Sequence, residues 1–196
     1  MGTSTGYDNS PLGPTHHIID DWGTLKGLHG VDIFCPSTMG FAKGIVSRLL
    51  KTKKPTYLRI PKGGLIEPDS GDDQILVGES TGEILLVCYG GTARPCLEVV
   101  QNRKGVSAVL CNKLNPLDGA YFKKVCSGFA KTLVVEDQFP FSGLYGSLCQ
   151  VWVEQGIQSQ LKAISKERDY ILDVGTSPDY YLKRWGLDVE GILSQL

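Results

Sequence analysis

The chain has 196 residues, 41% of them hydrophobic and 21% charged, with a net charge of −1 from 20 basic and 21 acidic side chains. That composition excludes a disordered or fibrous chain, and the balanced totals leave no overall field to draw it onto nucleic acid or an anionic membrane. Its apolar runs, such as Ile84 to Tyr89, are strand-sized and far short of the ~20 residues a membrane helix needs.

The first thirty residues are rich in Gly, Pro, Ser, Asp and His without a sustained period, so they are expected to begin as irregular backbone. The N-terminus has neither the basic region nor the apolar stretch of a secretory signal, which makes a cytoplasmic protein the expectation. Val31 to Phe34 is predicted as a strand stopped at Pro36, with Ser37 as the N-cap of a helix. Ala42, Ile45, Val46, Leu49 and Leu50 fall on one apolar face of that helix. Thr56 to Ile60 supplies the next strand, and the crossover of such a unit is expected to be right-handed. Residues 63–82 are polar and form an expected linker, with one short strand at Gln74 to Val77.

A second unit follows over residues 83–196. Glu83 to Tyr89 has the near-continuous apolar character of a strand covered on both faces, and Gly90-Gly91-Thr92 turns it into a helix through Val100. Val106 to Leu110 is the next strand. After the turn Asn115-Pro116-Leu117-Asp118, the residues Phe122, Val125, Cys126 and Phe129 mark a helical stripe, followed by a strand over Thr132 to Glu136. Tyr145, Leu148, Cys149, Trp152 and Val153 repeat the stripe. Lys162 to Ile164 is a last short strand, and a helical segment is expected from Pro178. Strands alternating with helices predict an α/β fold, a three-layer and mainly parallel sheet preceded by a partial α/β unit over residues 1–62. The six cysteines occur singly, without the C-x-x-C spacing of a zinc site, and are expected to be small reduced core residues.

Specific motifs accompany this pattern. Gly13-Pro14-Thr15-His16-His17, then Asp20-Asp21, then a strand ending at Pro36, resembles the end of the pyrimidine-binding domain in transketolases and deoxyxylulose-phosphate synthases. Pro55-Thr56-Tyr57-Leu58-Arg59-Ile60-Pro61-Lys62-Gly63 resembles the strand that closes that domain. Downstream, Val87 to Gly91, Leu114 to Asp118, Val134-Val135-Glu136-Asp137, Gly143 to Gly146 and Tyr181 to Leu187 resemble the transketolase C-terminal domain in order. Pro36-Ser37-Thr38 followed by Ala42-Lys43-Gly44 also resembles the β subunit of 2-oxoacid dehydrogenases, whereas the His16-His17 doublet favours the transketolase side.

The resemblance implies an enzyme that moves a two-carbon ketol unit with thiamine diphosphate and Mg2+. It places catalytic His16 near the cofactor and assigns substrate contacts to His17, Arg59 and Lys62, the last two as a basic pair for a sugar phosphate. The bland alternatives are a loop histidine pair bonded to local backbone and an ordinary solvated strand end. Leu12 stands where family members often carry an Asp before the histidine motif, a departure in the substrate-contacting region. In the family, the glutamate that activates thiamine lies well before that motif, and a Gly-Asp-Gly motif anchors the cation in another domain. Here the motif starts at Gly13, and the only Gly-Asp pair, Gly71-Asp72, lies in the linker.

The expectation is therefore a C-terminal subunit or fragment, inactive alone and holding no cofactor or metal by itself. Its expected partners are an N-terminal transketolase-like subunit, in a homodimer or hetero-oligomer, and a sugar or sugar-phosphate substrate, without nucleic acid or membrane. A non-catalytic oligomerisation module of the same fold is the alternative from another class. Asp20 and Asp21 are expected to complement a helix N-terminus, and Gly143 to Gly146 to be a turn. Trp152, Tyr180 and Trp185 are either a partner face or packing residues.

Overall fold

The computed structural model describes residues 1–63, 65–66, 70–164, 172–177 and 179–196. In chain order the elements are β1 (Gly2–Thr3), α1 (Asp21–Leu25), β2 (Asp32–Phe34), α2 (Met39–Lys51), β3 (Thr56–Ile60), β4 (Gln74–Val77), β5 (Gly82–Cys88), α3 (Ala93–Asn102), β6 (Val106–Cys111), β7 (Lys113–Asn115), α4 (Gly119–Cys126), β8 (Phe129–Val135), α5 (Leu144–Gln155), β9 (Gln160–Ile164), α6 (Tyr180–Arg184) and α7 (Val189–Leu193). No helix among the described residues is long and apolar enough to cross a membrane.

Two sheets result, ordered β1-β3-β2-β7 and β4-β6-β5-β8-β9. In the second, β6, β5, β8 and β9 run parallel and β4 closes one edge antiparallel to β6. The period of two along β5 explains its unbroken apolar text. Leu85 and Val87 point to a core shared with Phe122 of α4 and Leu148 of α5, whereas Ile84, Leu86 and Cys88 face Cys96 of α3 and Ile192 of α7. Helices therefore cover both faces, giving the expected three layers.

The two units are more entangled than a linker implies. Residues Gln74–Val77 pair with Cys111–Ala108 as a full edge strand, while β7 leaves the second unit to run antiparallel beside β2 in the first sheet. Asn112 sits between these strands and is fully buried. Its Oδ1 accepts from the Ser37 N–H at 2.7 Å, its Nδ2 donates to the Asp72 carbonyl at 2.9 Å, and its own carbonyl accepts from Cys35 N–H at 2.8 Å. One amide thus satisfies backbone groups from the first unit and the linker, which buried polar groups require.

Several local expectations shift by a residue or a face. Thr38, not Ser37, caps α2 by accepting from Phe41 N–H, while the Ser37 hydroxyl accepts from Gly90 N–H at 2.9 Å. On α2 it is Phe41 and Ile45 that bury against Phe34 and Leu58; Val46 is 53% exposed and Leu50 84%. Phe129 opens β8 rather than extending the α4 stripe. Val153 is exposed because α5 turns Leu144, Leu148, Val151 and Trp152 inward instead. The C-terminal segment forms α6 and α7, and Pro178 lies outside the described residues. All six cysteines are free thiols, five of them buried.

Candidate functional site

Residues 5 to 18 form a compact loop closed by paired backbone hydrogen bonds between Gly6 and Ile18, at 3.0 and 3.1 Å. Gly6 has φ +59, and a Cβ there would lie 1.8 Å from Oδ2 of Asp137, so only glycine allows the loop to close onto the second unit. Within it, Ser10–Leu12 and Pro14–His16 are short 3-10 turns hinged at Gly13. His16 is exposed, with Nδ1 2.9 Å from the Thr15 hydroxyl. His17 is half-buried and meets Tyr7 and Tyr181 edge-on, at centroid distances of 5.5 and 4.8 Å. The doublet is thus split: one imidazole faces solvent and the other is packed between rings.

The basic pair is split too. Lys62, just beyond β3, is exposed and holds the loop from outside: its N–H donates to Asp8 Oδ2 at 2.6 Å and its Nζ to Asn9 Oδ1 at 3.2 Å. Arg59 lies two residues along β3 from Tyr57, on the face turned to the second unit, and is fully buried. Its Nε reaches Asp21 Oδ2 at 3.0 Å, Nη1 and Nη2 reach Asp137 Oδ2 at 3.2 Å, and Nη2 donates to the Ile18 carbonyl at 3.3 Å. Burial pulls the guanidinium pKa down, but the Asp137 and Asp21 carboxylates outweigh it and hold the group charged.

A polar cluster grows outward from this pair. Tyr57 donates to Asp21 Oδ2 at 2.8 Å, and Gln138 Nε2 donates to Asp21 Oδ1. Asp21 opens α1, as expected for an acid at a helix start, but its carboxylate serves Arg59 and Tyr57 rather than the dipole alone. Tyr89 lies 3.1 Å from Asp137 Oδ1 and receives a hydrogen bond from Trp22 Nε1 at 3.2 Å. Glu136, fully buried, accepts from Leu144 N–H at 2.7 Å and Tyr145 N–H at 2.9 Å, closing the Gly143 turn onto α5. Burial pushes its carboxyl up to about 8, against the opposing pull of those N–H groups.

The sequence motifs named Glu136 and Asp137 only as landmarks, and Tyr7, Trp22 and Gln138 were unmarked. The signal for Glu136, Asp137 and Gln138 lay in polar residues directly following the apolar strand β8; Tyr7 and Trp22 carried none. Trp152 packs in the core with Nε1 donating to the Ser159 carbonyl at 2.8 Å, while Tyr180 lies edge-on to Tyr181.

Comparison with known proteins adds a lineage to this geometry. No family model matches the chain. It is 25% identical over 171 residues to one of the subunits of apulose-4-phosphate transketolase from Actinobacillus succinogenes, covering 83% of this chain and 55% of that protein. To the like-named transketolase polypeptide of Phocaeicola vulgatus it is 22% identical over 202 residues, covering 98% of this chain and 64% of that one. Along most of its length the chain is thus similar to transketolase polypeptides. It is also 27% identical over 150 residues to 1-deoxy-D-xylulose-5-phosphate synthase of Treponema pallidum, 69% of this chain and 24% of the synthase. A split-gene transketolase solved as an inactive beta4 tetramer shares the fold at a TM-score of 0.83 and 17% identity, over 98% of this chain and 63% of that one. The chain therefore spans 55% and 64% of the length of the two apulose-4-phosphate transketolase relatives.

The family's cofactor can be tested against the residues present. Among the described residues no three His, Cys, Asp or Glu side chains converge as a metal cage. Asp21, Glu136 and Asp137 each accept hydrogen bonds from within the chain. These carboxylates do not fit a thiamine-activating role, and no thiamine step runs through them.

Proposed function

We propose that the chain is the C-terminal subunit or portion of a thiamine-diphosphate-dependent, transketolase-like enzyme that transfers a two-carbon ketol unit, and that it is inactive alone. Residues 1–62 would end the pyrimidine-binding domain, 63–82 link it, and 83–196 form the transketolase C-terminal domain. The observation that carries this reading is the loop of Tyr7 to His17, which carries exposed His16 and is held by Lys62 at 2.6 Å from Asp8. An imidazole on this exposed loop and an ammonium that holds it from just beyond β3 suit a hydroxylated, anionic substrate such as a sugar phosphate. In this reading His16 exchanges a proton with substrate, Lys62 meets its charged end, and His17 orders the loop.

Arg59 enters differently. Its donors are taken by Asp21, Asp137 and Ile18, so its contribution to substrate binding is to hold the loop in place.

The cofactor and Mg2+ would come from an N-terminal partner in the cytoplasm, in a homodimer or hetero-oligomer. The names of the apulose-4-phosphate transketolase relatives, which call each a subunit, and the beta4 description of the solved neighbour support a split, oligomeric enzyme. The test is ketol transfer with thiamine diphosphate and Mg2+, with and without a candidate N-terminal subunit. Activity should require both chains; enzyme-like turnover by this chain alone would overturn the proposal.

A further inference from the structure

The balanced charge totals conceal a local asymmetry. Residues 33–66 hold seven Lys and Arg and no Asp or Glu. Arg59 is buried, Arg48 is bound by Asp73 and Lys62 donates to Asn9, which leaves Lys43, Lys51, Lys53 and Lys54 exposed and outside any ion pair among the described residues. Lys43 and Lys51 lie on α2, and Lys53 and Lys54 lie just beyond its C-terminal end. Phe41 and Ile45 pack on the first sheet, but Met39, Val46 and Leu50, at spacings of seven and four, form a second apolar row that is 40%, 53% and 84% exposed. The helix is therefore apolar over a wider arc than its own sheet covers. An exposed apolar row flanked and interrupted by lysine marks an interface.

We infer that this face of α2 docks a separate polypeptide, the one carrying the parts of the family fold that this chain does not span, through a surface acidic around an apolar centre. The inference rests on the proposed function as one part of a split enzyme. Charge complementarity selects the occupant. A second copy meeting α2 with α2 would set the same lysines against each other, which is unfavourable. Leu50 and Val46 fill the centre, and the lysine rim sets orientation and association rate.

The test is biolayer interferometry of the full chain against the separately expressed polypeptide that carries the Gly-Asp-Gly cation motif. Wild type, Val46→Glu/Leu50→Glu and Lys51→Glu/Lys53→Glu would be compared at 50 and 300 mM NaCl, with circular dichroism of each variant to verify folding. At least tenfold weaker binding by both variants, with wild-type affinity falling at higher salt, is the expected result. Wild-type-like binding by both folded variants overturns the docking face and leaves the split-enzyme reading standing. No wild-type complex overturns both. Two further results would also overturn the inference: Leu50-dependent self-association in sedimentation, or co-sedimentation with phosphatidylcholine vesicles containing 30% phosphatidylserine.

Discussion

The guanidinium of Arg59, on the closing strand of the first unit, meets Oδ2 of Asp137, just past β8 of the second, at 3.2 Å through both terminal nitrogens. With Asp21 on the other side, one buried cation is balanced by carboxylates from two parts of the fold. The pair therefore fastens the units together and, through the Ile18 carbonyl, the histidine loop as well.

Removing that cation should be costly. Arg59→Met leaves two buried carboxylates uncompensated, and a loss of about 3–5 kcal/mol in urea unfolding is expected. Arg59→Lys keeps the charge but loses the fork and should fall between wild type and Arg59→Met. A change below about 1 kcal/mol in the Met variant would contradict the geometry.

Glu136 should give the chain a distinctive pH dependence. Its folded pKa of about 8 lies above the ~4.3 of an unfolded glutamate, so the folded state holds the extra proton between those values. Its contribution is fully present below about pH 4.3 and is lost as pH rises through 8. Glu136→Gln should flatten that decline in denaturation curves taken from pH 5 to 8.5. An identical slope in both proteins would show that Glu136 does not titrate in this window.

The loop closure depends on Gly6. Gly6→Ala places a methyl against Asp137 in a backbone conformation costing L residues about 1–2 kcal/mol. The variant should lose at least that much stability, and amide exchange should quicken across residues 6–18. Unchanged exchange would mean that the loop closes without this contact.

Asn112→Ala removes the acceptor of the buried Ser37 N–H and the donor to the part-buried Asp72 carbonyl. A loss of about 1–3 kcal/mol is expected, with faster exchange along β4, because an orphaned buried group costs about that much. A stability within about 0.5 kcal/mol of wild type would rule out the hub.

His16 and Lys62 are exposed, so His16→Ala and Lys62→Ala should leave stability within about 0.5 kcal/mol. In the assembled enzyme His16→Ala should lower kcat by about 10²–10⁴, the range of general acid–base catalysis, whereas Lys62→Ala should mainly raise KM for a phosphorylated substrate. Wild-type kinetics in both variants would remove the loop from the substrate site.

By itself the sequence determined the alternation of strands and helices, because side-chain periods of 2 and 3.6 are local properties: Thr56–Ile60 and Gln74–Val77 were legible to the residue. The motif order from Gly13 to Leu187 likewise carried the resemblance to transketolases. Only the tertiary structure decided that Arg59 turns inward to Asp137 while Lys62 stays at the surface, that Asn112 joins two units and a linker, and that half of the apolar arc on α2 goes uncovered. Those outcomes depend on which distant residues supply a counter-charge, a hydrogen-bond partner or a covering surface. Residues far apart in the chain meet only once the sheets are packed, and no local pattern encodes that meeting.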